Sequence, residues 1–398
     1  MAVLPLEVAV DVIKFVKKTG YVLFFLSLTL QNAFSEIMAK GRTKFKLLMN
    51  LYHQNGDEAR QVYDDSEREE ANVAEPMIFI DHQITEDTVL NGHFVFDFWT
   101  AASDTKLDAN TGASNEEAIK GQTRVSGTVG ATKETGDWTL SANGGFSTEY
   151  DYRSFNGSVA VQRSFAQDNF TLGLDVQYYD DGIKLFDDLT PPGSAEISEF
   201  KTRNILATSL TASQILTPKD IVQFGTTFAR ATGHLESTAS STVVNGTREL
   251  ESLPDSRSRY AFSTKWVHGM GENWALNSSY RYYTDQWDLT AHTIRFALLR
   301  ELDQQDDLLE LSLRYHNQSE VEYWGDSFNS LNTHRTSDSD LEDFSAYEGG
   351  VYYSSLLGNK ELFGYKLENM RWNNGVVYYT RTNGLRYGYY QSAISFEF

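Results

Sequence analysis

The feature that most constrains this chain is a strict two-residue alternation, repeated in stretches of about ten residues. In Trp138 to Phe146, the side chains of Trp138, Leu140, Ala142, Gly144 and Phe146 fall on one side of an extended strand. Those of Thr139, Ser141, Asn143 and Gly145 fall on the other. Successive side chains of a strand point to opposite faces, so one face is apolar and the other polar. Phe170, Leu172, Leu174, Val176 and Tyr178 repeat the pattern opposite Thr171, Gly173, Asp175 and Gln177. Val222 to Phe228, Trp274 to Tyr282 and Leu309 to His316 do the same. The chain ends in one more such stretch, GYYQSAISFEF, with Tyr390, Ile394, Phe396 and Phe398 on one face and Gln391, Ala393, Ser395 and Glu397 on the other.

A water-soluble sandwich would bury the apolar faces against each other. Two features argue against it. Aromatic residues sit at the ends of the apolar faces, as at Trp138 and Phe146 or Trp274 and Tyr282, where the girdles of a membrane barrel belong. The other faces carry Arg281, Arg314 and Glu310 in mid-strand, which a dry core would not tolerate.

Composition agrees. Tyr, Phe and Trp make up 13% of the 398 residues, and aromatic enrichment favours strands. The mean hydropathy of −0.43, with no internal run near about 20 apolar residues, excludes a helical membrane protein. There is no cysteine, hence no disulfide and no thiolate metal site. The formal charge of −21 repels nucleic acid, so no nucleic-acid partner is expected. In a pore, a negative lining would favour cations.

Near the start, Lys14, Lys17 and Lys18 precede the apolar run Tyr21 to Leu30, and Ala33 and Ser35 follow with small-x-small spacing. A basic stretch, a short apolar core and small residues describe a secretory signal, and cleavage after Ser35 is expected. The division is then a signal peptide over 1–35 and a β-barrel over 36–398.

The connections set the strand count. Short turns are expected at Thr85–Thr88, Lys133–Asp137, Ala166–Asn169, Thr217–Asp220, Gly269–Asn273, Leu302–Asp306 and Leu357–Lys360. Longer loops are expected at 56–74, 101–120, 148–156, 180–200, 236–256, 284–288, 320–340 and 381–387. Outer-membrane barrels alternate short periplasmic turns with longer outer loops. With an initial strand near Phe45–Gln54, the fold predicted is an all-β, antiparallel, up-and-down transmembrane β-barrel of about sixteen strands. The phase is weakest at 75–84, 201–215 and 361–380, which leaves fourteen or eighteen strands open.

Several short runs resemble an uncharacterised proteobacterial outer-membrane β-barrel family, a domain of unknown function similar to number 3570. They are Glu75-Pro76, Asp97 to Ser103, Tyr280 to Asp285, Thr290 to Thr293, Arg314 to Gln318 and Ser337 to Leu341. The resemblance spans most of 43–398. The chain departs from the pattern at Thr100 to Thr105, where the family carries a more Gly/Ser/Pro-like acidic run. The resemblance implies a barrel, and it brings no established activity and no catalytic residues.

Arg124, Asp175, Arg281, Glu310 and Arg314 are the candidate pore-lining residues, with Glu397 on the same polar side. Facing rows of opposite charge would set a transverse field across a pore; the alternative is that Arg–carboxylate pairs merely brace the wall. Tyr390, Ile394, Phe396 and Phe398 form the candidate outer-membrane assembly signal, read by the barrel assembly machinery. Asp180, Asp181, Asp187, Asp188, Asp338 and Asp340 lie in outer loops, but none has the spacing of a calcium loop, so solvated acidic loops are expected. His292, His316 and His334 lie near acids in sequence, yet no Gly-x-Ser-x-Gly and no His-Glu-x-x-His is present.

The expectation is therefore a non-enzyme without cofactor or metal, located in the cell outer membrane among lipid and lipopolysaccharide. It is expected to act as a passive pore for small polar or cationic solutes. A non-conducting surface protein with interaction loops is the alternative, favoured by bulky inward residues such as Trp99, Tyr179 and Tyr283. A barrel hydrolase is the third reading.

Overall fold

A computed structural model describes residues 35–55, 70–99, 122–149, 152–186, 197–236, 241–302, 306–362 and 364–398. The first thirty-four residues, and with them the apolar run Tyr21 to Leu30, lie outside the described residues.

The strands are β1 (Thr43–Asn55), β2 (Glu70–Thr85), β3 (Thr88–Trp99), β4 (Gln122–Thr135), β5 (Trp138–Thr148), β6 (Tyr152–Phe165), β7 (Phe170–Phe186), β8 (Ile197–Thr217) and β9 (Asp220–Gly233). They continue with β10 (Ser241–Val244), β11 (Thr247–Leu250), β12 (Ser256–Met270), β13 (Trp274–Asp285), β14 (Thr290–Leu302), β15 (Asp307–Gln318), β16 (Phe344–Leu362), β17 (Tyr365–Arg381) and β18 (Arg386–Glu397). Sixteen of them pair with their sequence neighbours into one closed antiparallel sheet; β10 and β11 form a separate hairpin. The weak-phase segments resolve as β2, β8 and β17, which fixes the count at sixteen.

Closure is made by β1 against β18, in a register that sets Phe45 opposite Phe396, Leu47 opposite Ile394 and Leu51 opposite Tyr390. The C-terminal strand therefore completes the ring and leaves no edge, as an environment without water to satisfy backbone groups demands.

The apolar faces point outward. Leu313 is 69% exposed, Phe224 60% and Val129 58%, values that a packed aqueous core would not leave. Such a continuous exposed band belongs in hydrocarbon. Aromatic residues frame it on the outside: Trp138, Trp266 and Trp274 towards the short turns, and Phe155, Tyr178, Tyr260, Tyr315 and Tyr347 towards the long loops. At the short-turn side, outward arginines stack on these rings, Arg163 over Trp138 at 4.9 Å and Arg300 over Trp274 at 5.0 Å. Each pair is a cross-strand register pair. The guanidinium keeps its charge at the interface while covering the indole.

The connections differ from expectation in several places. Residues 152–156 begin β6, 197–200 begin β8, and 180–186 end β7, so Asp180 and Asp181 lie in a strand and not in the loop expected over 180–200. The Leu357–Lys360 turn is part of β16; Gly358, at φ +72°, marks a bulge in its pairing with β17, and the two strands meet at the Leu362–Tyr365 pair. Residues 70–74 belong to β2 rather than to the charged loop expected over 56–74, of which 56–69 lie outside the described residues. The loop expected over 236–256 contains the β10–β11 hairpin. Short, polar strands of four residues carry too little alternation to stand out.

Before β1, residues 35–42 run against the inner wall near the short-turn end. Ser35 Oγ donates to Asp81 at 3.0 Å, its N–H donates to Thr132 Oγ1 at 3.1 Å, and Met38 N–H donates to Gln83 Oε1 at 2.7 Å. Arg42 ties this entry to Glu368 and Glu397 at 2.8 and 2.9 Å.

Candidate functional site

The inner face of the barrel is unequal around its circumference. Alternation from the outward residues places Arg257, Arg259 and Lys265 of β12, Arg281 of β13, Arg295 of β14 and Arg314 of β15 on the inside. Register aligns Lys265, Ser279, Arg295, Arg314 and Glu348 along one row crossing five strands. Like charges placed side by side repel unless acids interleave, and they do. Arg295 donates to Glu310 at 2.5 Å, and Arg314 to Glu348 at 3.2 Å. Arg257 reaches Asp285 at 2.5 Å with both partners buried, and its guanidinium lies 4.2 Å over the Trp287 ring. Lys265 is 2% exposed, and its Nζ has no hydrogen-bond partner among the described residues.

Counting round the closed order, β2 stands opposite β12, β3 opposite β13 and β4 opposite β14. The β2–β4 arc carries the inward acids Glu75 and Asp97, with Arg124 donating to Asp97. Asp175 and Asp181 of β7 extend the acidic side; Gln177 donates to Asp175 at 2.7 Å and Arg203 to Asp181 at 3.2 Å. An arginine-rich arc thus faces an acid-bearing arc across the lumen.

The candidate pore residues separate within this frame. Arg281 is inward yet exposed, and it makes no ion pair among the described residues, so its guanidinium reaches open space inside the ring. Arg124 and Arg314 are partly exposed beside their acids. Asp175 and Glu310 are inward but covered, at 2% and 8% exposure, and sit within the wall. No single contact unites the five; they are distributed over both arcs.

Sequence reasoning missed an inward tyrosine cluster. Tyr352, Tyr379, Tyr387 and Tyr389 project inward from β16, β17 and β18, with Tyr52 of β1 packed against them. Tyr379 and Tyr387 stack at 4.3 Å, and the Tyr352 and Tyr389 hydroxyls lie 3.2 Å apart. They face β6–β8, where small inward residues such as Ser154, Ser158, Ala160, Ser209 and Thr211 alternate with larger ones, Tyr179 among them. The signal was present, because Tyr387 and Tyr389 extend the Gln391–Glu397 face by two more steps. It was masked by their aromatic character, which suits either face.

At the long-loop end, residues 234–236, 241–255 and 319–343 pack into a cap. Leu253, Trp287, Leu289, Ala291 and Val321 form its core, with Tyr283 and Trp324 against it. Val244 bridges to Phe328 and Ser252 to Arg335. Thr336 donates to Glu251, and Arg381 of β17 reaches Asp340 at 2.5 Å. Burial pushes the Glu236 carboxyl up, but hydrogen bonds from His234, the Leu253 N–H and its own N–H outweigh it and hold it at about 2. Burial pushes the Asp338 carboxyl up from its ordinary value.

The histidines do not converge. His292 faces outward beside Tyr280 and Tyr282. His316 faces inward against Thr293 and Gln318, and His334 packs on Tyr323 in the cap. Asp187 and Asp188 lie outside the described residues, and among the described residues no three acids or histidines are grouped to hold a metal ion.

The C-terminal candidates lie where alternation puts them. Tyr390, Ile394 and Phe398 are exposed on the outer face, while Phe396 is half-buried against Phe45 at 5.2 Å.

Among solved structures, a bacterial polysaccharide outer membrane secretin is similar over 89% of this chain and 98% of its own, at 8% identity and a TM-score of 0.48. The outer membrane protein OpdK from Pseudomonas aeruginosa matches over 91% of this chain and 100% of its own, at 7% identity and 0.45. A BenF-like porin from Pseudomonas fluorescens Pf-5 matches over 91% and 99%, at 8% identity and 0.44. No curated protein matches. One family model, described as "Protein of unknown function (DUF3570)", matches residues 30–393, and the chain belongs to that family.

Proposed function

We propose that the protein is a passive channel of the outer membrane for small polar solutes, cations among them. The observation that carries this reading is the unequal lumen wall: a basic arc on β12–β15 stands opposite acids on β2–β4, with the Arg281 guanidinium in open space between. Charged walls across a water-filled passage set a transverse field that slows and orients dipolar solutes. A ring of sixteen strands is wide enough for a lumen. The tyrosine cluster and the cap narrow it from one side.

The whole-chain charge of −21 is a weaker guide to selectivity than the wall. Much of it lies in connections such as 56–69, whereas the wall mixes both signs. Cation preference would come from Glu75 and Asp97, and the β12–β15 arginines act against it. In this reading, residues 1–35 direct export and are removed, the Ser35 contacts go with them, and Met38 and Arg42 hold the mature end to the wall. The Tyr390, Ile394, Phe396 and Phe398 face directs the assembly machinery, and acidic loops meet lipopolysaccharide.

The test is single-channel recording with pure refolded protein in planar bilayers. Discrete steps with a finite reversal potential in a salt gradient are expected; a protein that folds but gives no steps sinks the channel. One observation favours a second reading, a non-conducting surface protein: the cap over 241–255 and 319–343 is a packed unit with its own apolar core. Deleting that cap separates the two, because a channel continues to conduct and a surface binder loses its contact face.

A further inference from the structure

The acid-bearing arc contains a groove of about 430 Å³ in the outer half of the barrel. Asn50, Tyr52, Glu75, Asp97, Trp99 and Arg124 line it. Its polar groups are unevenly satisfied. Asp97 is 4% exposed; one carboxylate oxygen accepts from Arg124, and the other, Oδ1, has no hydrogen-bond partner among the described residues. Asn50 donates its amide to Glu75 at 3.2 Å, while the Asn50 Oδ1 is buried without a donor. The Glu75 carboxyl lies within hydrogen-bonding reach of Asp97.

Asp97 pairs with the Arg124 guanidinium, and two carboxyl groups in contact share a proton while no cation is present. An incoming cation displaces that proton and meets two carboxylates, and the buried Asn50 and Asp97 oxygens want donors. Unpaired buried acceptors are costly, so a ligand that supplies them gains more than its contacts alone. The complement is a cation with several N–H donors. An anion would meet the two carboxylates. A bare divalent ion would need six or more oxygens, and the Arg124 charge beside the pair disfavours it. Tyr52 and Trp99 add aromatic faces of the kind that attract organic cations.

We propose that this groove is a binding subsite for a protonated primary amine, with Asp97 and Glu75 as its carboxylate acceptors and Asn50 Oδ1 as its neutral one. The inference deepens the channel reading, and rests on it for the route by which a solute reaches the groove.

The test is a fluorescence titration of detergent-refolded protein with cadaverine at constant ionic strength, Trp99 being the reporter. A saturable change is expected, lost in Trp99→Phe. Glu75→Gln, which keeps the Asp97–Arg124 pair, weakens it by about tenfold or more, the loss of one charged hydrogen bond. Tetramethylammonium, which has the charge but no N–H donors, gives a much weaker response. Heat-modifiable migration on a detergent gel verifies that each variant is folded. No saturable response, or equal affinity in wild type and Glu75→Gln, overturns the subsite. Because the titration reads binding and not conduction, the two readings fail separately. Binding without channel steps overturns the pore alone, and channel steps without binding overturn the subsite alone.

Discussion

At the scale of residues, the lumen wall depends on a few side chains whose fit is tight. Gly375 lies opposite Tyr352 in register, and a Cβ there would come within 2.4 Å of the Tyr352 ring. The ring occupies the space a side chain would take. Gly375→Ala forces Tyr352 away from Tyr389, and an overpacking penalty of about 1–3 kcal/mol is expected. Denaturant unfolding of refolded barrels, read as a lower midpoint, checks it. Arg281 makes the opposite kind of prediction. It is unpaired among the described residues and exposed, so its replacement leaves the wall intact. Arg281→Glu is expected to move the reversal potential in a potassium chloride gradient towards cation selectivity with unchanged stability. No movement would mean that ions do not pass this residue.

At the scale of elements, the cap and the last strand are the parts that can be uncoupled. Arg257 holds Asp285 and Trp287 at the cap's base, all buried. Removing one partner of such a pair strands the other charge, at about 3–5 kcal/mol. Arg257→Ala is therefore expected to make 241–255 and 319–343 accessible to protease while the barrel still migrates as folded. Acid acts on the same unit through Glu236. Its carboxyl is held at about 2, below its ordinary 4.5, so its contribution is complete above 4.5 and disappears as the pH falls from there through 2. Amide exchange over 241–255, corrected for intrinsic rates, is expected to stay flat from neutral pH to 4.5 and quicken below it. Glu236→Gln removes that dependence. At the end of β18, Phe398→Ala is expected to lower the amount of heat-modifiable protein in cells with little change in refolding of the pure chain, because the ring is exposed beside Tyr365 and Phe396 and the substitution keeps both backbone hydrogen bonds to Thr43.

At the scale of the whole molecule, closure is the property on which the others rest. The β1–β18 seam pairs from Lys44 with Glu397 to Asn55 with Arg386. A barrel closed over that length is expected to migrate faster unboiled than boiled on a detergent gel. Equal migration of both samples would count against a ring.

The outward and inward faces of β5, β7, β9, β13, β15 and β18 were legible in the sequence, because a period of two is a local property of each strand. Short turns at Thr85–Thr88, Ala166–Asn169 and Thr217–Asp220 were legible as breaks in that period, and with them a count of about sixteen, which the closed sheet fixed. The Gly358 bulge and the β10–β11 hairpin were not: the bulge is a shift of pairing against β17, and the hairpin's four-residue strands are too short to show a period. Alternation placed Arg314 and Glu310 inside, but not the partners Glu348 and Arg295. It put Asp97 in no candidate site, although the groove is built around it. Those pairings follow from register between strands, and the opposition of the basic and acidic arcs follows from closure. The sequence by itself determined which side of these strands meets lipid; only the closed ring decided which charges meet each other, because that distance runs across the lumen and not along the chain.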